Sequence, residues 1–293
     1  MLSRQWKSHA VSSRTWALTR KRAGRIALYV TIVCVCTAIA FPLYWLVINA
    51  LIPGKEVFRF PPAFFPRELR WAAYQEIMEL HPILTWLKNS VVVSFGTALF
   101  ALIFIIMGAY ALSRHGWPGR SLLAIGLLST QMIPSAVLVI PIFVIFRRIG
   151  LVDSHLGLIA MDTALIVPVA TWILKGAFDK IPDEISDAAR VDGCTELGVL
   201  ARIMLPISAP ALVAASVIAF FTAWDEYVFA STFIISQSLR VFSVGLATFI
   251  GEMATPVDLI FAAASIFVIA PLIFYAVVER YLISGLSAGA VKG

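Results

Sequence analysis

The sequence predicts an all-α integral membrane protein, with six transmembrane helices and a polar helical loop between the fourth and the fifth. Three observations predict it. Of the 293 residues, 60% are hydrophobic and 14% charged, with a mean hydropathy of +0.90; soluble domains run at about 45–50% apolar and about 25% charged. The apolar residues fall in blocks long enough to cross roughly 30 Å of hydrocarbon as helices of about 20 residues. The blocks are continuous, which suits helices that pair their own backbone groups and not the short alternating strands of a barrel.

Residues 1–25 form a basic tail. It carries Arg4, Lys7, Arg14, Arg20, Lys21, Arg22 and Arg25 and no acidic residue, so the positive-inside rule places it in the cytoplasm. The net charge of +6 therefore reads as a topology signal and not as affinity for nucleic acid. The first apolar block, 26–52, opens a single domain covering 26–293. It is too long, and too far from a small-residue cleavage motif, for a removed signal peptide. A long outer loop with Pro61, Pro62 and Pro66 runs on to Trp86. The second block is 87–112, followed by a short polar turn at 113–120. The third and fourth blocks, 122–146 and 156–174, contain Pro134, Pro141 and Pro168, which interrupt them and allow the count of six to differ by one. The fifth and sixth are 209–235 and 259–283. Six crossings return the C-terminus to the cytoplasm. The cysteines Cys34, Cys36 and Cys194 are isolated thiols with no nearby histidine, so they suggest neither a disulfide nor a metal site.

The loop at 177–208 is the most informative polar segment. Pro182 suits the start of a helix, and Asp183 and Glu184 favour its positive N-terminal end. Gly193 can adopt the left-handed conformation that ends a helix. A second helix is expected with Leu197, Leu200, Ile203 and Met204 on one face, ended by Pro206 and Pro210. Ala188 and Ala189 are small enough to let a partner approach closely. On these grounds alone, a helical hairpin lying on the membrane face is the competing reading.

Here the chain resembles a known family. Asp187-Ala188-Ala189, Gly193, Ile203 and Leu205-Pro206 are similar to the "EAA" loop of permease subunits in binding-protein-dependent ABC importers, with Asp187 where the family usually has Glu. Trp86-Leu87-Lys88-Asn89-Ser90, the stretch 109–114, the stretch 150–154 and Trp224-Asp225-Glu226-Tyr227 resemble other segments of the same family. The ending 285–293 resembles the shorter permease of the maltose- and trehalose-type carbohydrate branch. The resemblance implies a second homologous permease, two ABC ATPase subunits and an extracytoplasmic sugar-binding protein, in a bacterial or archaeal inner membrane. It implies that the loop 182–206 seats in an ATPase, with Asp187, Ala188, Ala189, Asp192, Gly193, Cys194 and Pro206 as the contact, and that this drives alternating access. The chain is expected to bind no cofactor of its own and not to be an enzyme. It has no G-x-x-x-x-G-K-[ST] loop, so ATP and Mg would be used on the partner.

Candidate pathway residues are Gln131, Thr222, Trp224, Asp225, Glu226 and Tyr227. Asp225 and Glu226 fall inside the fifth block, where an ionised carboxylate costs roughly 2.5–3.5 kcal/mol on insertion scales and therefore faces a cavity or a partner. Carboxylates beside Trp224 and Tyr227 would suit a sugar, offering acceptors for hydroxyls and aromatic faces for the ring. A structural hydrogen bond to a neighbouring helix is the competing role. Asp162 is a weaker candidate. The family often carries Asn in place of Asp225, and the sugar can rest mainly on the partner permease. A carrier driven by an ion gradient is the alternative, since intramembrane carboxylates suit ion coupling, although such folds often show internal repeats. An intramembrane protease finds no support, because His9, His81, His115 and His155 fall in the tail, loops or span ends. Gly285-Leu286-Ser287-Ala288-Gly289 matches G-x-S-x-G by chance, with no acid or histidine after it.

Overall fold

The computed structural model describes residues 3–62, 64–66, 68–251 and 255–290, and all regular elements among them are helical. Helix α1 (Ser3–Leu51) contains an apolar stretch, Gly24–Leu51, and is followed by a short α2 (Gly54–Val57) and by α3 (Ala72–Leu80). Next come α4 (Ile83–Arg114), α5 (Arg120–Ser129), α6 (Ser135–Arg148) and α7 (His155–Phe178). The polar loop holds α8 (Asp183–Val191), α9 (Glu196–Val199) and α10 (Leu205–Ile207). The chain ends with α11 (Ala209–Asp225), α12 (Val228–Phe233), α13 (Phe242–Gly251) and α14 (Val257–Ala290). The last three residues of the 285–293 tail, and 252–254, lie outside the described residues.

Helices α4, α7, α11 and α14 form the central bundle, with α1 laid along α14. Small residues let the backbones approach, as lipid-embedded packing requires. Ala98, Ala101 and Ala109 of α4 are buried against Ala170 of α7 and Ala215 and Ala219 of α11. A Cβ on Gly108 would stand 3.2 Å from the Thr171 side chain, and one on Gly96 only 2.5 Å from Ile159. Toward the α13 end, aromatic rings continue the packing. Phe220 stacks on Phe274 at 3.9 Å, Trp224 on Phe267 at 5.3 Å, and Trp86 meets Phe242 and Phe249.

Among the described residues, four helices are long and apolar enough to cross a membrane: Gly24–Leu51, Ile83–Arg114, His155–Phe178 and Val257–Tyr281; counting each of two bent pairs as one crossing raises the number to six. The expected third block is one of these pairs, with limbs Arg120–Met132 and Ser135–Arg148 meeting at 102°. Pro134 causes the break: it cannot donate a backbone hydrogen bond and it forces Ile133 into extended geometry (φ −86°, ψ 120°). The expected fifth block, 209–235, is not continuous either. Helix α11 ends at Asp225, Glu226 is extended (φ −64°, ψ 122°), and α12 starts afresh.

Candidate coupling hairpin and transmembrane pathway

The loop after α7 is a folded hairpin, and its turn can be read bond by bond. Gly193 has φ 86°. Its N–H donates to the carbonyl of Arg190 at 3.0 Å, and the N–H of Cys194 donates to Ala189 at 2.9 Å, the paired 5→2 and 6→1 bonds of a left-handed helix stop. Asp183 and Glu184 occupy the first turn of α8. Thr195 caps α9 by accepting from the N–H of Gly198 at 3.2 Å. A π-helical turn, Leu200–Met204, follows before Pro206, which has no N–H to continue an ordinary ladder. The arm Glu196–Ile207 then meets α11 at 83°.

The expected contact residues divide between two faces. Asp187, Ala188, Asp192, Gly193 and Pro206 are exposed, Cys194 is half-buried, and Ala189 is buried with Ser186. Only the first alanine of the pair is therefore open to a partner; the second packs against the hairpin's own core. The expected apolar face of the second arm is corrected at one position. Leu197 is 77% exposed, whereas Val199, Leu200 and Met204 are buried, because the wide π turn breaks the simple three- and four-residue spacing. Val191, at 87% exposure, joins Leu197 beside the turn and gives the tip an uncovered apolar surface.

Polar contacts fasten the hairpin to the bundle. Arg114, whose side chain is only 6% exposed, pairs with Asp183 and donates to the carbonyls of Phe178 and Ile181 at 2.6 Å each. Ser113 and Lys175 both reach Asp179 at 2.6 Å. On the second arm, the Glu196 carboxylate accepts from Arg190 at 2.8 Å and from the Tyr110 hydroxyl at 2.6 Å. These bonds, the arginine first, hold the Glu196 carboxyl down at about 2, and in turn raise Arg190 above its ordinary value.

The expected pathway residues form two separate groups. Gln131 lies at the α5–α6 bend, in a cleft of about 410 Å³ lined also by Thr130, Ser135, Met161 and Leu165. Its amide donates to the carbonyl of Leu165 at 2.9 Å, about one turn before Pro168 of α7. The other five sit around the α11–α12 break and do not line that cleft. Asp225 and Tyr227 are exposed there, and Thr222 is half-buried. Glu226 caps α12: its two oxygens accept the N–H groups of Phe229 and Ala230 at 2.7 Å each, and Ser243 donates to its carbonyl at 2.6 Å. Trp224 is 1% exposed and stacked between Phe220 and Phe267, so the expectation that its ring faces a sugar is corrected to a place in the core. Asp162 is likewise buried in α7, with one carboxylate oxygen unpartnered.

Other ties were less legible in the sequence. Asn89 donates to the carbonyls of Ser238 and Arg240 at 2.9 Å each, and Ser90 accepts the N–H of Phe242 at 2.8 Å. Asp153, at φ 58°, accepts from the N–H groups of Ile235 and Ser236. The Ser236 hydroxyl bond, above all, lowers its carboxyl. Both ties lie at the end opposite the hairpin. The signals were the Asn-Ser pair after Trp86 and an Asp after Gly150, and each was read without its partner.

Comparison with known proteins agrees with this geometry. Residues 102–287 match the family described as binding-protein-dependent transport system inner membrane component. The chain is 32% identical to the sulfoquinovosyl glycerol transport system permease protein SmoH of Agrobacterium fabrum, over 86% of this chain and 89% of that one. It is 31% identical to the diacetylchitobiose uptake system permease protein DasC of Streptomyces coelicolor (94% and 100% covered), and 30% identical to the trehalose/maltose transport system permease protein MalG of Thermococcus litoralis (92% and 97% covered). In fold it is similar to a chain of a bacterial ABC transporter that imports alginate, with a TM-score of 0.71 at 21% identity, covering 89% of this chain and 96% of that one. With its family match spanning most of the bundle and the hairpin, this chain belongs to the inner membrane components of binding-protein-dependent transport systems.

Proposed function

We propose that the chain is one of two permease subunits in an ATP-driven sugar importer and that its hairpin is the seat for an ATPase subunit. The observation that carries this reading is the hairpin itself. A folded, internally bonded turn presents Asp187, Ala188, Val191 and Leu197 outward, and exposed leucine and valine on a rigid polar element favour a protein cover. In this reading the hairpin end is cytoplasmic, as are both termini, and each bent pair makes one crossing, giving six. ATP and Mg belong to the two ATPase subunits, and this chain holds no cofactor. A second, homologous permease completes the pathway, membrane lipid covers the outer apolar faces, and a sugar-binding protein docks at the opposite end. That end offers a cleft of about 520 Å³ lined by Glu56, Arg59, Phe65 and Glu68. The sugar permeases among the relatives support a carbohydrate as cargo, with trehalose, maltose and diacetylchitobiose as the first candidates.

The buried Asp162 favours a second reading, a carrier coupled to an ion gradient. Reconstitution separates the two. Proteoliposomes carrying the chain with its partner permease, ATPases and binding protein are expected to take up one of those three sugars only with ATP on the ATPase side. Uptake driven by a proton or sodium gradient without ATP would reverse the choice.

A further inference from the structure

The hairpin is joined covalently to α7 and to α11, yet its second arm also reaches a helix with which it shares no loop. Tyr110 and Glu196 are 86 positions apart. The Tyr110 hydroxyl and the Glu196 carboxylate stand 2.6 Å apart, and the same carboxylate takes a second bond from Arg190 at 2.8 Å. Arg190 divides its guanidinium, giving Asp187 a further bond at 2.7 Å. An unbroken chain therefore runs from Asp187 on the open face, through Arg190 and Glu196, to Tyr110 in α4. Its two ends differ in burial: Asp187 is 67% exposed, whereas Tyr110 is 8% exposed and set edge-on to Phe178.

Exposed ion pairs of this kind add little stability on their own. Charge-assisted bonds with fixed fork geometry do hold groups in register. Helix α4 packs against both α7 and α11, so a link to α4 makes the hairpin and the central helices one body. We propose that Tyr110 and Glu196 are positioning residues for transport: with Arg190 they form a strut that carries movement of the hairpin into α4. This deepens the importer reading and rests on it. Arg114, the last residue of α4, gives the first arm its own tie to that helix through Asp183; the strut is the separate link that ties the second arm to α4.

The test uses the assembled transporter in nanodiscs. Spin labels on cysteines introduced at Asp192, beside the hairpin turn, and at the exposed Met107 of α4 report their separation by pulsed electron resonance, with the native cysteines changed to serine. Separations are compared without nucleotide and after trapping with Mg, ADP and vanadate. In the otherwise wild-type chain the separation is expected to stay unchanged on trapping. In Y110F, which keeps the buried ring, and in E196Q, which keeps the side-chain shape, trapping is expected to shift it by several ångström while the untrapped separation matches wild type. A purely structural role for these groups would instead alter the untrapped state or the yield. A shift already present in wild type, or none in both variants, overturns the strut alone. Failure of the wild-type complex to trap vanadate overturns the importer reading and the strut together.

Discussion

The hairpin and the α11–α12 break use the same residue types for opposite ends. In the hairpin, Asp187, Arg190 and Glu196 bond to one another near water, and their charges set geometry more than stability. At the break, the Glu226 carboxylate bonds to backbone amides and not to a cation. It accepts two backbone N–H groups that the interrupted helix would otherwise leave unpaired. The neighbouring aromatics differ in the same sense, since Trp224 is sealed in the core and Tyr227 is 47% exposed. An intramembrane acid next to tryptophan can therefore be a means of breaking a helix and packing its end. Its presence alone does not mark a sugar site.

Four substitutions or conditions would break or sharpen this contrast. The largest effect is expected at Trp224. W224A should cost about 3–5 kcal/mol, as for other buried aromatic truncations, while Y227A should change thermal unfolding in detergent far less. Next is E226A, which strips the cap from Phe229 and Ala230; about 1–3 kcal/mol is expected for each buried donor left unpaired. E226Q should lose less, because its amide oxygen still accepts one of the two bonds. G193A comes third. A Cβ there meets no neighbour within 4 Å, so only the left-handed backbone opposes it, at about 1–2 kcal/mol. The measurement is protease protection of the hairpin, with overall unfolding little changed. The smallest effect is pH dependence. Glu196 lies below its ordinary 4.5, at about 2. Its contribution should be complete above pH 4.5 and fall away as pH drops through about 2. Hairpin protection should weaken over that interval in wild type and lack this step in E196Q.

Composition and block length made the helical class legible, because lipid demands long apolar helices whatever their packing. The hairpin was also legible: Pro182 and Gly193 act through local backbone rules that need no knowledge of the rest of the chain. What the sequence hid was relational. Nothing in the apolar run 209–235 announces a stop at Asp225, since no proline or glycine lies there, and the break is stabilised by an acid folding back onto amides three and four residues ahead. The exposed position of Leu197 depends on a π turn that simple periodicity does not encode. Ala188 and Ala189 look equivalent in sequence, and only packing sends the second one inward. The bond from Tyr110 to Glu196 joins residues whose roles appear only when α4 and the hairpin are seen together.

The most direct test of the central claim, that the hairpin seats in an ATPase subunit, is site-directed cross-linking from its open face. A cysteine replaces Ala188 in a chain whose Cys34, Cys36 and Cys194 are serine, and single cysteines are scanned across the co-expressed ATPase. A disulfide whose yield changes with Mg-ATP is predicted, and a matching cysteine in place of the buried Ala189 should cross-link poorly. No cross-link from Ala188 at any scanned position, in membranes that still take up sugar, would contradict the account.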